Sequence, residues 1–335
     1  MKSCQPTGLP LSRLVWAIFF AVCFRDSITP FSFICVSSSR WVRLLQDAIM
    51  LQPTASTMHS SAFLSSPVGG LFAFIILNVD SSSQHSAAAS RFNRLWWQSS
   101  VRVCADGAAN RLHDSLDEES RVYMLPDLII GDLDSIRPDV ESYYEQRGVM
   151  IQKESEQDSH DFEKCLRWLK QKQMERSGLH EDGYLMSGGD GGSGSSSHGS
   201  DTSFDSASTD AFSVVAYGAF GGRVDHLMAN LNMAYAYPCF ERFYLMSDES
   251  MATLLPPGSH HVEFNRDAED GSCGLIPLGR RCERVLTKGL KWNLDGERPL
   301  EFGELISTSN QMVADVIEIE TDAPLLWTTG LRCEM

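Results

Sequence analysis

Four stretches of the chain are apolar almost without interruption: LFAFIILNV from Leu71, VRVCA at 101–105, DLII at 127–130 and SVVAYG at 213–218. Runs of this length without polar alternation suit strands buried on both faces of a parallel sheet. Between them the apolar positions recur three and four residues apart. The clearest predicted helix opens at Asp158, with Phe162, Cys165, Leu166 and Leu169 on one face, and a second runs from about Asp225 to Tyr237. Alternating strand and helix predicts an α/β domain with a mostly parallel sheet over residues 69–250. After Pro256-Pro257-Gly258 the texture changes to GLIPLG, RVLTKGLKWNL, ELISTSN, VADVIEIET and PLLWTTG, separated by Gly, Asn and Asp. Short apolar stretches at regular spacing, without helical periodicity, predict an all-β sandwich over residues 251–335.

Two regions fall outside this pattern. Residues 187–210, SGGDGGSGSSSHGSDTSFDSASTD, cannot bury enough apolar surface to order themselves and read as a surface insertion. The formal GxGxxG there (Gly189, Gly191, Gly194) follows no strand and opens no helix, so it is not a dinucleotide fingerprint. Residues 1–68 show no sustained periodicity and are set aside from the fold. Within them Leu14 to Phe24 is an apolar run of eleven behind Lys2 and Arg13, too short to span a bilayer but the size of a signal-peptide core. An organelle or secretory leader in residues 1–30 is thus one reading, and an inert extension the other.

Composition narrows the function. The 335 residues are 43% hydrophobic and carry a formal net charge of -16. Such a chain has ample core but lacks the clustered Lys and Arg that non-specific nucleic-acid binding requires. An anionic substrate would need local arginines or a metal ion. The nine cysteines form no CxxC pair, which argues for reduced thiols in a cytoplasmic protein rather than a disulfide framework or zinc site. No membrane association is expected of the folded domains.

The candidate chemistry lies where predicted strands end, the edge at which open α/β sheets hold their ligands. Asp106-Gly107 closes the second strand. Gly131-Asp132-Leu133-Asp134-Ser135 closes the third, placing two like charges one residue apart, which repel unless something cationic lies between them. Gln157-Asp158-Ser159-His160-Asp161 opens the amphipathic helix, with Asp158 and Asp161 one turn apart. Gly221-Gly222-Arg223-Val224-Asp225 offers close backbone approach and an arginine for phosphate oxygens. Each has a plain structural alternative: Asp158 as an N-cap, Asp106 and Asp134 as turn residues, Arg223 as a surface charge. Taken together, the acids are expected to converge in one crevice. Hard oxygen ligands without His or Cys suit Mg²⁺, which bridges carboxylates and substrate phosphates. The chain has no GxxxxGK[ST], so a nucleotide would be held without a Walker loop.

These residues resemble a known family. ADGAANR, PDLIIGDLDSIRPDV, QDSHDFEKC, GGRVDH, CGLIPLG, TKGLKWNL, STSN and ETDAPLLW occur in the order found in eukaryotic-type thiamine pyrophosphokinases, over about residues 71 to 329. The resemblance implies an α/β nucleotide domain followed by a β-sandwich, a homodimer with shared active sites, and transfer of pyrophosphate from ATP to thiamine with release of AMP. It implies that Asp106, Asp132, Asp134 and Asp161 bind magnesium. It further implies that Gly107, Gly131, Gln157, Asp158, Gly221, Gly222 and Arg223 contact the nucleotide, with Asp225 near the reacting centre. Trp292, Ser307, Ser309 and Asn310 resemble the family's thiamine pocket. A tryptophan face suits a cationic or aromatic ring, and the hydroxyls and amide can orient ring nitrogens. Three features depart from the pattern: Ala108 where the family has a second glycine, expected to put a methyl near the phosphates; the insertion; and the N-terminal segment. Two alternatives stand beside this reading. One is a haloacid-dehalogenase-type phosphatase with Asp132 as nucleophile, suggested by DLDSI but lacking a later Lys and acidic pair. The other is a thiamine or nucleotide sensor that keeps the pocket without catalysis.

Overall fold

The computed structural model describes residues 56–66, 70–78, 86–156, 158–178 and 211–333. The Leu14–Phe24 run, the 187–210 insertion with its GxGxxG match, and Gln157 lie outside the described residues.

The apolar runs form the centre of a sheet. In chain order the elements are β1 (Thr57–His59), β2 (Leu71–Ile76), α1 (Ser86–Gln98), β3 (Val101–Ala105), α2 (Ala108–Ser115), α3 (Glu118–Tyr123), β4 (Leu128–Gly131), α4 (Pro138–Glu145), β5 (Met150–Lys153), α5 (Asp161–Arg176), β6 (Phe212–Tyr217), α6 (Val224–Ala236) and β7 (Arg242–Met246). The remaining strands are β8 (Ser250–Leu255), β9 (Gly258–Glu263), β10 (Glu269–Ile276), β11 (Val285–Lys288), β12 (Ser307–Gln311), β13 (Val316–Thr321) and β14 (Leu325–Leu331). The β2 run is apolar throughout because both its faces are covered. Phe72, Phe74 and Ile76 pack with Leu95 and Trp96 of α1 and with Ala108, Leu112, Val140 and Tyr144. Ala73 and Ile75 pack on the other face with Phe162, Leu166 and Leu169 of α5 and with Leu231 of α6.

Strands β2 to β7 pair in parallel, in the order β7-β6-β2-β3-β4-β5. The chain builds outward from β2 to β5 and then returns to the far side of β2 as β6. The order therefore reverses between β2 and β6, which opens a crevice at their carboxyl ends.

The sandwich is not a separate body. β8 pairs antiparallel with β7, and β14, β10 and β12 continue the same sheet, giving one mixed sheet of ten strands that crosses the expected boundary at residue 250. Its antiparallel half faces a four-stranded sheet, β1-β9-β13-β11, over a core that includes Leu255, Leu275, Val285, Ile317, Ile319 and Trp327.

For residues 56–66 the expectation that residues 1–68 stand outside the fold is corrected. β1 pairs in parallel with β9, and Phe63 and Leu64, in the short 3₁₀ turn Ala62–Leu64, are buried against the helix-covered face of the sheet. Phe63 lies 4.8 Å from the Tyr244 ring. A three-residue strand (Thr57-Met58-His59) and one turn of 3₁₀ helix are too short to carry a periodicity, so the sequence pattern could not show them. β9 was missed because GSHHVE is polar at most positions. The start of α5 is also corrected: His160, not Asp158, is the N-cap, its ring accepting from the Glu163 N–H at 3.3 Å. Among the described residues no helix is long and apolar enough to cross a membrane, and Cys104, Cys165, Cys239, Cys273, Cys282 and Cys333 are free thiols.

Candidate active site

The register of β3 on β4 fixes the first half of the site. Ala105 pairs with Ile130, so Asp106 leaves β3 opposite Gly131, the last residue of β4, and Asp132 follows one residue further on. The Asp106 N–H donates to the Ile130 carbonyl at 3.0 Å. Its carboxylate then turns back to accept from the N–H groups of Ser135 and Ile136 at 3.2 and 3.1 Å. That clasp wraps the DLDS loop around Asp106. Asn110 of α2 ties the loop from the other side, donating to the Ser135 carbonyl at 2.7 Å and accepting from the Arg137 N–H at 3.0 Å. Asp106, Asp132 and Asp134 thereby present carboxylate oxygens within 4.8 Å of one another.

Asp161 joins them from the first residue of α5. A β-carbon on Gly131 would stand 2.6 Å from the Asp106 β-carbon and 3.1 Å from Asp161 Oδ1. Only glycine lets these two acids flank the end of β4. Gly107, expected to touch nucleotide, is the N-cap of α2, and Ala108 is fully buried in the core beneath α2. The Ala108 methyl thus faces the core cluster and not the proposed phosphate site, which corrects the expectation attached to it.

The cluster is electrostatically strained. Asp106 is 1% exposed. Burial, with Asp161 and Asp132 nearby, pushes its carboxyl up to about 6 despite the Ser135 amide. Asp132 is held below its usual range: burial opposes this, but the Asp134 amide, a hydrogen bond with Asp106 and the field of Lys164 outweigh it. Backbone geometry carries strain as well. Among the described residues the non-glycine residues with positive φ are Asp106 at 36°, Leu133 at 61° and Ser309 at 57°, all within candidate site motifs. Left-handed backbone at such residues costs on the order of 1–3 kcal/mol and clusters where function requires a particular side-chain direction.

Other expected members are not brought to these acids. Asp158 is exposed ahead of α5. Arg223 and Asp225 flank the start of α6 after the left-handed pair Gly221-Gly222. They pair with each other at 2.5 Å and remain 70% and 63% exposed. The pairing lowers the Asp225 carboxyl to about 2. No hydrogen bond or ion pair joins either to the acidic cluster among the described residues.

The second group is assembled around Asn310. Cys273 pairs with Asn310 and Leu275 with Ser307, so β12 has one residue more than β10 across this interval. Ser309, in left-handed backbone, marks that bulge, which redirects the strand locally. Asn310, buried, accepts from the Trp292 N–H at 3.2 Å, donates to the Trp292 carbonyl at 2.8 Å and donates to Ser307 Oγ at 3.4 Å. Trp292 is held by its backbone while its side chain is 57% exposed, with the Lys291 ammonium 4.6 Å from the ring centre. Within the chain no hydrogen bond or ion pair joins this group to the carboxylates among the described residues.

Lys164, Asn110 and the Ser135 and Ile136 amides were missed by the sequence reading. Lys164 carried a signal: it interrupts the apolar face of α5 between Phe162 and Cys165, three residues after Asp161.

Acids gathered at the carboxyl edge of an α/β sheet, with an exposed tryptophan on the adjoining β-sandwich, are the parts of a two-part α/β enzyme. Residues 92–244 match the family description "Thiamin pyrophosphokinase, catalytic domain", and residues 259–326 match "Thiamin pyrophosphokinase, vitamin B1 binding domain". The chain is similar to thiamine pyrophosphokinase 3 of Oryza sativa subsp. japonica, 35% identical over 305 residues that cover 84% of this chain and 99% of that protein. It is similar to thiamine pyrophosphokinase 1 of Arabidopsis thaliana, 33% identical over 290 residues covering 82% and 93%. Its fold is similar to the crystal structure of yeast thiamin pyrophosphokinase, with a TM-score of 0.69 at 24% identity over 85% of this chain and 94% of that one. The chain belongs to the thiamine pyrophosphokinase family, of the eukaryotic type, and is an enzyme of that family. Membership displaces the dehalogenase-type phosphatase reading.

Proposed function

We propose that this chain transfers the terminal pyrophosphoryl group of ATP to the hydroxyl of thiamine in a magnesium-dependent reaction, giving thiamine diphosphate and AMP. The observation that carries the reading is the set of three carboxylates within 4.8 Å at the carboxyl edge of the sheet, one of them buried. Three acids held this close fit a hard divalent ion with an all-oxygen donor set. Asp106, Asp132, Asp134 and Asp161 would hold magnesium. The bound ion would supply charge neutralisation and orientation for the phosphate oxygens.

The chain's own residues account for the remaining steps. Arg223 presents its guanidinium to solvent beside the crevice opened by the strand reversal, where it suits phosphate oxygens. Asp225, paired to Arg223 at the start of α6, is the candidate for orienting the hydroxyl or accepting its proton. The thiamine oxygen bonds to the β-phosphorus as the bond to the α,β-bridging oxygen breaks. AMP departs with that oxygen, and the hydroxyl proton goes to solvent. Trp292 offers a face for the cationic thiazolium in place of the Lys291 ammonium. Gln157 and Asp158 are retained as nucleotide contacts on the family pattern alone. The exposure of Arg223, Asp225 and Trp292, and the lack of a bond from them to the acids, are the features that favour a homodimer with shared sites.

The test is to incubate the purified full chain with ATP, Mg²⁺ and thiamine and to identify products by mass. A fragment beginning at residue 69 would lack β1 and is unsuitable. Thiamine diphosphate and AMP in equal amounts are expected. ADP with thiamine monophosphate would overturn the proposed transfer, and binding of both ligands without AMP would favour a sensor.

A further inference from the structure

The acidic cluster contains a cation of the protein's own. Lys164 is 2% exposed, and its Nζ stands 2.9 Å from Asp161 Oδ1, one turn along α5. Of the four carboxylates, the one it contacts is Asp161. Its field also reaches Asp132. Its neighbours on α5, Phe162, Cys165 and Leu166, are buried in the apolar layer between helix and sheet. An ammonium in that layer is sustained only by a carboxylate partner, because an unpaired buried charge is strongly destabilising. Asp161 in turn packs against the end of β4 where Gly131 leaves room. The apolar neighbours on α5 offer its ammonium no partner, so the Asp161 carboxylate accounts for a charge at this position.

We infer that Lys164 is a positioning residue that fixes the Asp161 carboxylate and offsets the repulsion within the cluster, so that the acids are arranged before a metal ion arrives. The inference rests on the proposed magnesium site for its consequence in catalysis, but not for the ion pair itself. With Lys164 in place the four acids carry one internal countercharge. Without it Asp161 loses its anchor, and a divalent ion becomes the remaining source of positive charge at the cluster.

The experiment compares wild type, Lys164→Met, Asp161→Asn and the double variant by thermal melting, in EDTA and in saturating Mg²⁺, with steady-state kinetics well below each melting temperature. Methionine keeps the aliphatic volume and removes the charge. In EDTA the double variant is expected to melt closer to wild type than the sum of the single losses allows, since neither variant partner then leaves a lone buried charge. Mg²⁺ is expected to raise the melting temperature of Lys164→Met more than that of wild type. The kcat of folded Lys164→Met should fall roughly tenfold or more with KM for thiamine unchanged, the range usual for partners that orient metal ligands. Additive losses that ignore Mg²⁺, with normal kcat, would make Lys164 a packing residue and overturn the inference. If Mg²⁺ raises no melting temperature, wild type included, while the Asp161–Lys164 coupling persists, the metal reading fails and the ion-pair role stands. If Mg²⁺ stabilises wild type but the two sites are additive, the metal reading stands and this one fails. Should Lys164→Met prove too unstable to purify, the double variant decides: it folds if charge pairing is the issue, and fails if packing is.

Discussion

Asn310 clasps the backbone of Trp292 at both its N–H and its carbonyl, accepting at 3.2 Å and donating at 2.8 Å. The tryptophan's exposed ring therefore depends on a buried amide for its placement. Asn310→Ala removes both bonds and leaves the groups it satisfied without partners, at a cost of about 1–3 kcal/mol. KM for thiamine should rise on the order of tenfold while KM for ATP stays constant. Steady-state kinetics with each substrate varied, and a denaturant melt, check both parts. An equal rise in both KM values would place the effect on the whole fold.

Asp132→Asn and Asp134→Asn should each lower turnover on the order of a hundredfold or more. Neither should destabilise the chain markedly. Asp134→Asn relieves repulsion in a cluster whose buried member is already pushed up to about 6, so its melting temperature in EDTA should hold or rise, whereas Asp132→Asn gives up an ionised form that the fold favours and should melt slightly lower. Calorimetry of the metal-free proteins reads this directly. A marked drop in melting temperature would assign these acids to the fold and not to the chemistry.

Stability should also carry the mark of Glu269, which is 2% exposed inside the sandwich. Burial pushes its carboxyl up to about 7, against the Asn265 amide that donates to it. An acid raised in the folded state contributes stability that is full below its unfolded pKa and is lost as pH rises through the folded value. The loss should therefore fall between about pH 4.5 and 7, with roughly 3 kcal/mol as its upper bound. The half-buried His59, 3.0 Å from the buried His260, acts in the opposite sense, since burial depresses His59 to about 4 and charging it on acidification destabilises the fold. The difference between wild type and Glu269→Gln isolates the first term. The variant should lose less stability than wild type as pH rises from 5 to 7.5, by urea titration. Parallel curves would refute the assignment.

Ala108→Gly restores the family's usual glycine and makes a distinct prediction. Because the methyl lies in the core under α2, the variant should lose about 1 kcal/mol of stability from helix propensity and packing. KM for ATP should stay within about twofold, since no side-chain group of the crevice is altered. A large change in KM for ATP would return the methyl to the phosphate site.

Where one local rule dominates, the sequence is transparent. LFAFII is buried on both faces and reads as a central strand, and the Phe162, Leu166, Leu169 stripe reads as a helix face. The acids at the ends of β3 and β4 are legible because a parallel register brings successive strand ends together. What depends on partners distant in the chain is not. β1 is a strand only because β9 offers an edge some two hundred residues later. The N-cap is His160 and not Asp158 because the helix starts at Asp161, which leaves the His160 ring to accept from the Glu163 N–H. Lys164 is buried only because Asp161, a residue the helix pattern does not mark as its partner, meets its ammonium at 2.9 Å. The Asn310 clasp on Trp292 spans two motifs that the sequence shows only as neighbours in a list of resemblances.

Among the described residues, no hydrogen bond or ion pair joins the two halves of the candidate site, the acids after β3 and β4 and the Trp292–Asn310 group on the sandwich. In a homodimer with a two-fold axis, the nucleotide half of one protomer can meet the sandwich of its partner, and symmetry makes that contact twice. Co-expressing inactive Asp132→Asn with inactive Trp292→Ala distinguishes the arrangements. Random pairing makes half the dimers mixed. In a mixed dimer with shared sites, one site carries both lesions and the other carries none, so activity should recover to roughly a quarter of wild type. If each site were built within one chain, every site in the mixed dimer would retain one lesion. Differently tagged chains, purified through both tags, provide the mixed species alone, in which recovery should reach roughly half of wild type. Activity no higher than that of the separate variants in that doubly purified sample would show that each protomer builds its own site.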